Sequence, residues 1–327
     1  MIVMFRTTAI AAVAALTLGG CAASTASPDD GRLHVVAAFY PLAYAVEQVG
    51  GDRVTVASLT KPGGEPHDLE LLPRQILDLQ QADVTVYLAH FQPAVDAAVA
   101  AHAEQSAFDV TEAADLMTLE QDHADHGAGE DGDHADADHG DADHGDADHG
   151  HDHGGTDPHF WLDPIRYGDV ATAIAAQLTA ADPAGATAYQ AGAQAFTKRL
   201  ADLDEAYRSG LSGCRTARVV TGHAAFGYLT TRYGLEEEAV SGLSPDQEPT
   251  AASMAHVVDF VRDNDIRTVY AETLASPALT ETLARETGAR VSVLDPVEGI
   301  TDESAGPDYF AVMQANLTNL RAGQECS

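Results

Sequence analysis

The sequence has little cysteine, little positive charge and a single tryptophan. Its three cysteines, at 21, 214 and 326, include no CxxC pair, which argues against a cysteine-built metal site. Seventeen basic residues stand against fifty-one acidic ones, a formal charge of −34. That balance excludes nucleic acid and an electrostatic hold on anionic lipid as natural partners and suits a cationic ligand, although acidity also serves plain solubility. No HExxH motif occurs, and beyond the N-terminus no run is long and apolar enough to cross a bilayer.

What is there begins with a leader. Arg6 precedes an apolar run over 9–18, followed by Leu18-Gly19-Gly20-Cys21, the pattern of a bacterial lipoprotein signal. The expectation is a signal peptide over 1–20, a lipid on Cys21, and a flexible tether over 21–32 rich in Ala, Ser, Thr, Pro and Asp. The protein is then extracytoplasmic, lipid-anchored to the outer face of the cell membrane. In an oxidising compartment the two remaining cysteines, Cys214 and Cys326, are expected to form a disulfide.

From residue 33 onward, strand and helix patterns alternate. Strands are expected at 33–39, 53–59, 83–89 and 108–110, with helices at 41–49, 73–81 and 92–103 between them. Helices follow at 165–180 and at 183–211, the second a rod of about 40 Å opened by Pro183. Alternation then resumes with strands at 217–221, 235–240, 268–271 and 290–294 and helices at 224–232, 251–264, 277–287 and 307–321. This is an α/β chain with mostly parallel sheets. The divisions are an N-terminal lobe over 33–182, a linking helix over 183–211 and a C-terminal lobe over 212–327.

Between 120 and 156 the pattern stops. Residues 121–154 hold eight of the fifteen histidines, His123, His126, His134, His139, His144, His149, His151 and His153, among many Asp and Gly. Asp-Ala-Asp-His-Gly repeats at 136–140, 141–145 and 146–150. A segment this polar builds no core and is expected to be disordered. A linker needs charge but has no need of imidazoles, so the tract reads as a weak chelator of borderline divalent metals.

Three histidines stand out by position. His67 lies in a turn-rich loop after the second strand, His159 in the proline-stiffened Asp157-Pro-His-Phe-Trp-Leu-Asp-Pro164, and His223 just after a strand. Asp295 follows the last strand. Ligands of α/β sheets gather beyond the carboxyl ends of strands, so all four share one kind of address. For each alone, a structural role is as good a reading. His34, His90, His102 and His256 read as structural or surface histidines, His90 the least firmly because its strand end could put it near the same mouth; Phe39, Tyr40, Phe160, Trp161 and Phe226 read as cleft walls.

The motifs Gly64-Glu-Pro-His67-Asp68, Asp157 to Pro164, Gly222-His223-Ala-Ala-Phe-Gly-Tyr228, Glu248-Pro-Thr and Leu294-Asp-Pro296 together resemble the solute-binding lipoproteins of zinc and manganese ABC importers. The resemblance implies two α/β lobes joined by one long backbone helix, with metal in the inter-lobe cleft on His67, His159, His223 and Asp295. Glu65 is the alternative fourth ligand, because Pro66 occupies the place where some zinc members carry an acidic residue. Three imidazoles and one carboxylate suit Zn²⁺ better than Mn²⁺. The implied role is zinc capture and delivery to an ABC permease by a monomer without enzymatic activity, the histidine-rich tract acting as collector. A manganese-specific binder, a zinc hydrolase and a surface metal buffer are the alternatives.

Overall fold

Two sheets of one design carry the molecule. The computed structural model describes residues 31–118, 155–245 and 247–327; Cys21 and the eight histidines of the tract lie outside them. The first lobe runs β1 (Leu33–Ala37), α1 (Tyr40–Gly50), β2 (Val54–Ser58), α2 (Pro73–Gln81), β3 (Val84–Tyr87), α3 (Pro93–His102), β4 (Ala107–Asp109) and a one-turn α4 (Thr111–Ala114). Its strands lie in the order β2-β1-β3-β4, all parallel. Proline opens α1, α2 and α3, where its fixed φ suits the first turn and its missing N–H is not needed.

A short 3₁₀ turn, Phe160–Leu162, leads into α5 (Pro164–Ala181). Asp163 caps it by accepting from the N–H groups of Ile165 and Arg166, and Pro164 stands at its start. After a further turn, Pro183–Gly185, comes α6 (Ala186–Gly210), whose 25 residues make a rod of about 37 Å. The rod begins one turn later than Pro183 suggests, because Asp182 ties the turn down, accepting from Ala184 N–H, Arg53 and the Tyr189 hydroxyl. Its buried stripe of Tyr189, Ala193, Phe196, Leu200, Leu203 and Tyr207 follows helical spacing. At Gly192 the rod presses on α1 so closely that a Cβ would stand 2.3 Å from the Val49 carbonyl oxygen.

The second lobe repeats the first: β5 (Arg218–Thr221), α7 (Gly227–Tyr233), β6 (Glu236–Ala239), α8 (Ala251–Asp263), β7 (Thr268–Ala271), α9 (Ala278–Thr287), β8 (Arg290–Val293) and α10 (Tyr309–Gly323). Its parallel order is β6-β5-β7-β8. α7 starts three residues later than its periodicity suggests. Residues 223–226 form a turn instead, held where the Phe226 N–H donates to Glu237. A disulfide joins Cys214 to Cys326 across 112 residues.

One continuous core runs from Val35 and Phe39 through Trp161, Tyr167 and Phe196 to Tyr309 and Met313, spanning both lobes. A smaller cluster, including Val220, Val257, Val269 and Leu283, lies under α8 and α9. No helix among the described residues is long and apolar enough to cross a membrane.

Candidate metal centre

Each sheet reverses its strand order between its first and third strands, the place where α/β folds open a crevice. In the second lobe those strands are β5 and β7. His223 follows β5 and Glu272 follows β7, and the pair meets there: Glu272 accepts from the His223 backbone N–H at 3.0 Å and faces its Nδ1 in a short contact. Gly222 makes room for this grip, since a Cβ there would stand 2.8 Å from Glu272 Oε1.

His159 is held the same way. Asp157 Oδ1 accepts its backbone N–H at 2.9 Å and lies 2.8 Å from its Nδ1. In both histidines a carboxylate fixes the Nδ1–H tautomer and turns Nε2 inward, as metal-binding imidazoles require. His67 is held more loosely. Its N–H donates to Glu65 Oε1 at 2.8 Å, its ring stands edge-on to Phe91 at 4.8 Å, and buried Gln92 pins the loop through the Pro66 carbonyl.

The carboxylate brought to these three rings is Glu298. One ligand atom each from His67, His159, His223 and Glu298 falls within 4.8 Å of the others. Glu298 Oε1 lies 3.2 Å from His67 Nε2, 3.1 Å from His159 Nε2 and 3.8 Å from His223 Nε2. The last nitrogen is buried with no hydrogen-bond partner, a cost few interiors tolerate unless something else bonds there.

Asp295 sits outside this group. Its carboxylate accepts from the Thr273 hydroxyl and the Val297 N–H, while its backbone is clamped at both ends by Asn316. Burial raises its pKa in spite of those bonds. Its part is to shape the turn that aims Glu298, a turn in which β-branched Val297 takes φ of 59°. Glu65 lies 3.9 Å from His67 Nε2 through the oxygen that holds the His67 N–H. The address beyond β8 pointed to this loop, but the acid that stands among the three rings is Glu298, not Asp295. The signal for Glu298 was a second carboxylate in a segment otherwise apolar, Pro296-Val-Glu-Gly-Ile300.

Charge in the pocket is poised for a cation. Burial works against a protonated His159, but Asp157 and Glu298 outweigh it and hold the ring at about 9. Burial likewise opposes charge on His223, and Glu272 with Glu298 lifts it to about 10. Burial pushes Glu298 up, yet the three histidines hold it well below the usual carboxylate range. Without metal, protons on the imidazoles do the neutralising. The arrangement can bind a tetrahedral N₃O cation; with four protein donors it resembles a closed site more than a catalytic one with a position open for water.

Comparison with known proteins gives the family. The chain is 36% identical over 318 residues to the zinc-binding lipoprotein AdcA of Streptococcus pneumoniae, covering 95% of this chain and 59% of that protein. It therefore spans about three-fifths of that relative's length. Against the high-affinity zinc uptake system protein ZnuA of Bacillus subtilis it is 34% identical over 293 residues, 89% of this chain and 87% of the other. The crystal structure of the Zn(II)-bound ZnuA-like domain of S. pneumoniae AdcA superposes with a TM-score of 0.70 at 32% identity, over 90% of this chain and all of that one. The model of the family described as zinc-uptake complex component A, periplasmic (ZnuA) matches residues 35–323, and the chain belongs to that family.

Proposed function

We propose that this protein captures Zn²⁺ outside the cytoplasm and delivers it to a membrane ABC permease, with His67, His159, His223 and Glu298 as the ligands. The observation that carries the reading is their convergence, two from each lobe, around a buried nitrogen that lacks a partner. Relatives that share most of the chain bear the names of zinc-binding and zinc-uptake proteins, and a structural neighbour is titled as zinc-bound. The donor set favours zinc over manganese, which prefers more oxygen. Binding, not hydrolysis, fits a site whose four donors all come from the protein.

The remaining parts of the proposal rest on sequence. Lipid on Cys21 tethers a monomeric body to the membrane, the divisions at 33–182, 183–211 and 212–327 serve as lobe, link and lobe, and the tract over 121–154 gathers metal nearby. Calorimetric titration with Zn²⁺ tests the core of this. One tight site should survive deletion of 121–154 and vanish in His159→Ala. A deletion that abolished all tight binding would overturn the cleft as receptor.

A further inference from the structure

Two cavities touch members of the four-residue cluster, one at His223 and one at His67. One, of about 500 Å³, touches His223 and is walled by Glu65, Glu248 and Glu272. The other, of about 340 Å³, touches His67 and is lined by His90, Phe91, Leu116, Thr156 and Pro158. Among the residues lining these two cavities, His90 is the one imidazole outside the four-residue cluster.

Its setting is not that of a structural histidine. His90 is exposed, and its place is fixed through the backbone, where its N–H donates to Asp96 Oδ2 at 3.0 Å. Among the hydrogen bonds of the described residues, none is made by its ring. The same cavity takes in both flanks of the histidine-rich tract: Leu116 before it and Thr156 after it, with Thr118 and Thr156 bridged antiparallel. Of the two imidazoles that line this cavity, His90 is the more exposed and His67 the more buried.

We infer that His90 is a transient ligand for Zn²⁺ on its way through this second cavity to His67 and the closed centre. The chemistry asks for such a group. A hydrated borderline cation entering a three-imidazole site exchanges its waters one at a time, and an imidazole on the path keeps it partly coordinated while it does so. A residue used only in passing lowers the barrier without changing either end state. It therefore speeds capture and release by the same factor and leaves the equilibrium constant alone. This inference rests on the zinc-capture reading above.

The test is stopped-flow mixing of the full chain with zinc sulfate, followed through the fluorescence of Trp161, the single tryptophan, whose ring lies 5.3 Å from that of His159. The variants are His90→Asn, Glu248→Gln in the other cavity, and the parent chain. Asn is chosen because position 90 takes φ of 67°, which asparagine tolerates, and His90→Gly repeats the test without any φ restriction. Both His90 variants should capture zinc several-fold more slowly, release it to EDTA more slowly by the same factor, and keep the parent's Kd, while Glu248→Gln captures at the parent's rate. His90 variants that capture at the parent's rate, or that lose affinity at equilibrium, would overturn the inference. So would slowing confined to Glu248→Gln. A parent chain that binds no zinc tightly at equilibrium instead overturns the capture reading itself.

Discussion

The two lobes share a strand order but not what they place at its reversal. Two residues beyond β5 stands His223, met by Glu272 from the end of β7. Two residues beyond β1 stands Phe39, met by Phe91 from the loop after β3, with ring centroids 5.0 Å apart. The second lobe thus builds an imidazole and its orienting carboxylate into the crevice of its sheet. The first lobe fills the same place with phenyl rings and brings His67 and His159 in on loops. One lobe offers a rigid polar mount; the other offers a dry wall plus a proline-stiffened corner and a looser loop. A shared fold fixes where a ligand can sit, and the residues at that address decide whether one does.

This contrast can be broken most sharply by removing a ligand from either side. His159→Ala and His223→Ala should each weaken zinc by more than ~100-fold, beyond what loss of an outer partner costs, as read by competition against a chelating dye. If only one of the two mattered, the centre would belong to a single lobe. The disulfide is a second asymmetry, since it ties the strand-5 end of the second lobe to the chain's C-terminal segment. Replacing Cys214 and Cys326 by Ser should destabilise the folded chain by about 5 kcal/mol in the chain-entropy account, seen as a fall in the denaturation midpoint. An unchanged midpoint would show the link to be energetically idle.

Asp157→Asn and Glu272→Gln come next. Each should cost zinc affinity by ~10–100-fold, because an amide no longer fixes the Nδ1–H tautomer. The lobe comparison predicts similar losses for both, whereas Glu65→Gln, whose hydrogen bond is to the His67 backbone N–H, should cost less.

Proton linkage sharpens the picture further. His159 and His223 stand at about 9 and about 10 without metal, so both carry a proton at neutral pH and must surrender it to ligate. Zinc binding at pH 7 should then release about two protons, measurable by calorimetry in buffers of different ionisation enthalpy. Because these pKa values are raised above the unfolded ~6.5, their contribution to metal-free stability is complete below that value. It is lost as pH rises through 9 and 10. Metal-free chain should therefore melt lower at pH 10 than at pH 6.5, and a melting point that rises over that window would contradict the pairing with Glu298.

Much of this was legible in the sequence. Strand and helix periodicities located both sheets, and Asp-Pro-His and Gly-His marked two mounts, because proline and glycine constrain the backbone wherever they stand. The first turn of α6 and the start of α7 were misplaced for one reason: distant side chains, Arg53 at Asp182 and Glu237 at Phe226, hold those residues in turns. Glu298 was passed over in favour of Asp295 because a strand-end rule gives the loop but not the direction of each side chain. That direction depends on Val297 adopting a left-handed backbone, against its own preference, under the pull of Asp295, Asn316 and Trp161.

The core that runs unbroken through both lobes also limits how the proposed centre could let go of an ion. A clamshell needs a seam that parts without exposing much oil to water, and here Trp161 donates to the Pro296 carbonyl and Tyr309 to that of Trp161, deep in a layer of packed rings. Swinging the halves apart would break that layer. Under the proposed reading, release is left to the small pieces outside it, and of the four clustered side chains His67, with its loop and partial exposure, is the one free to move first.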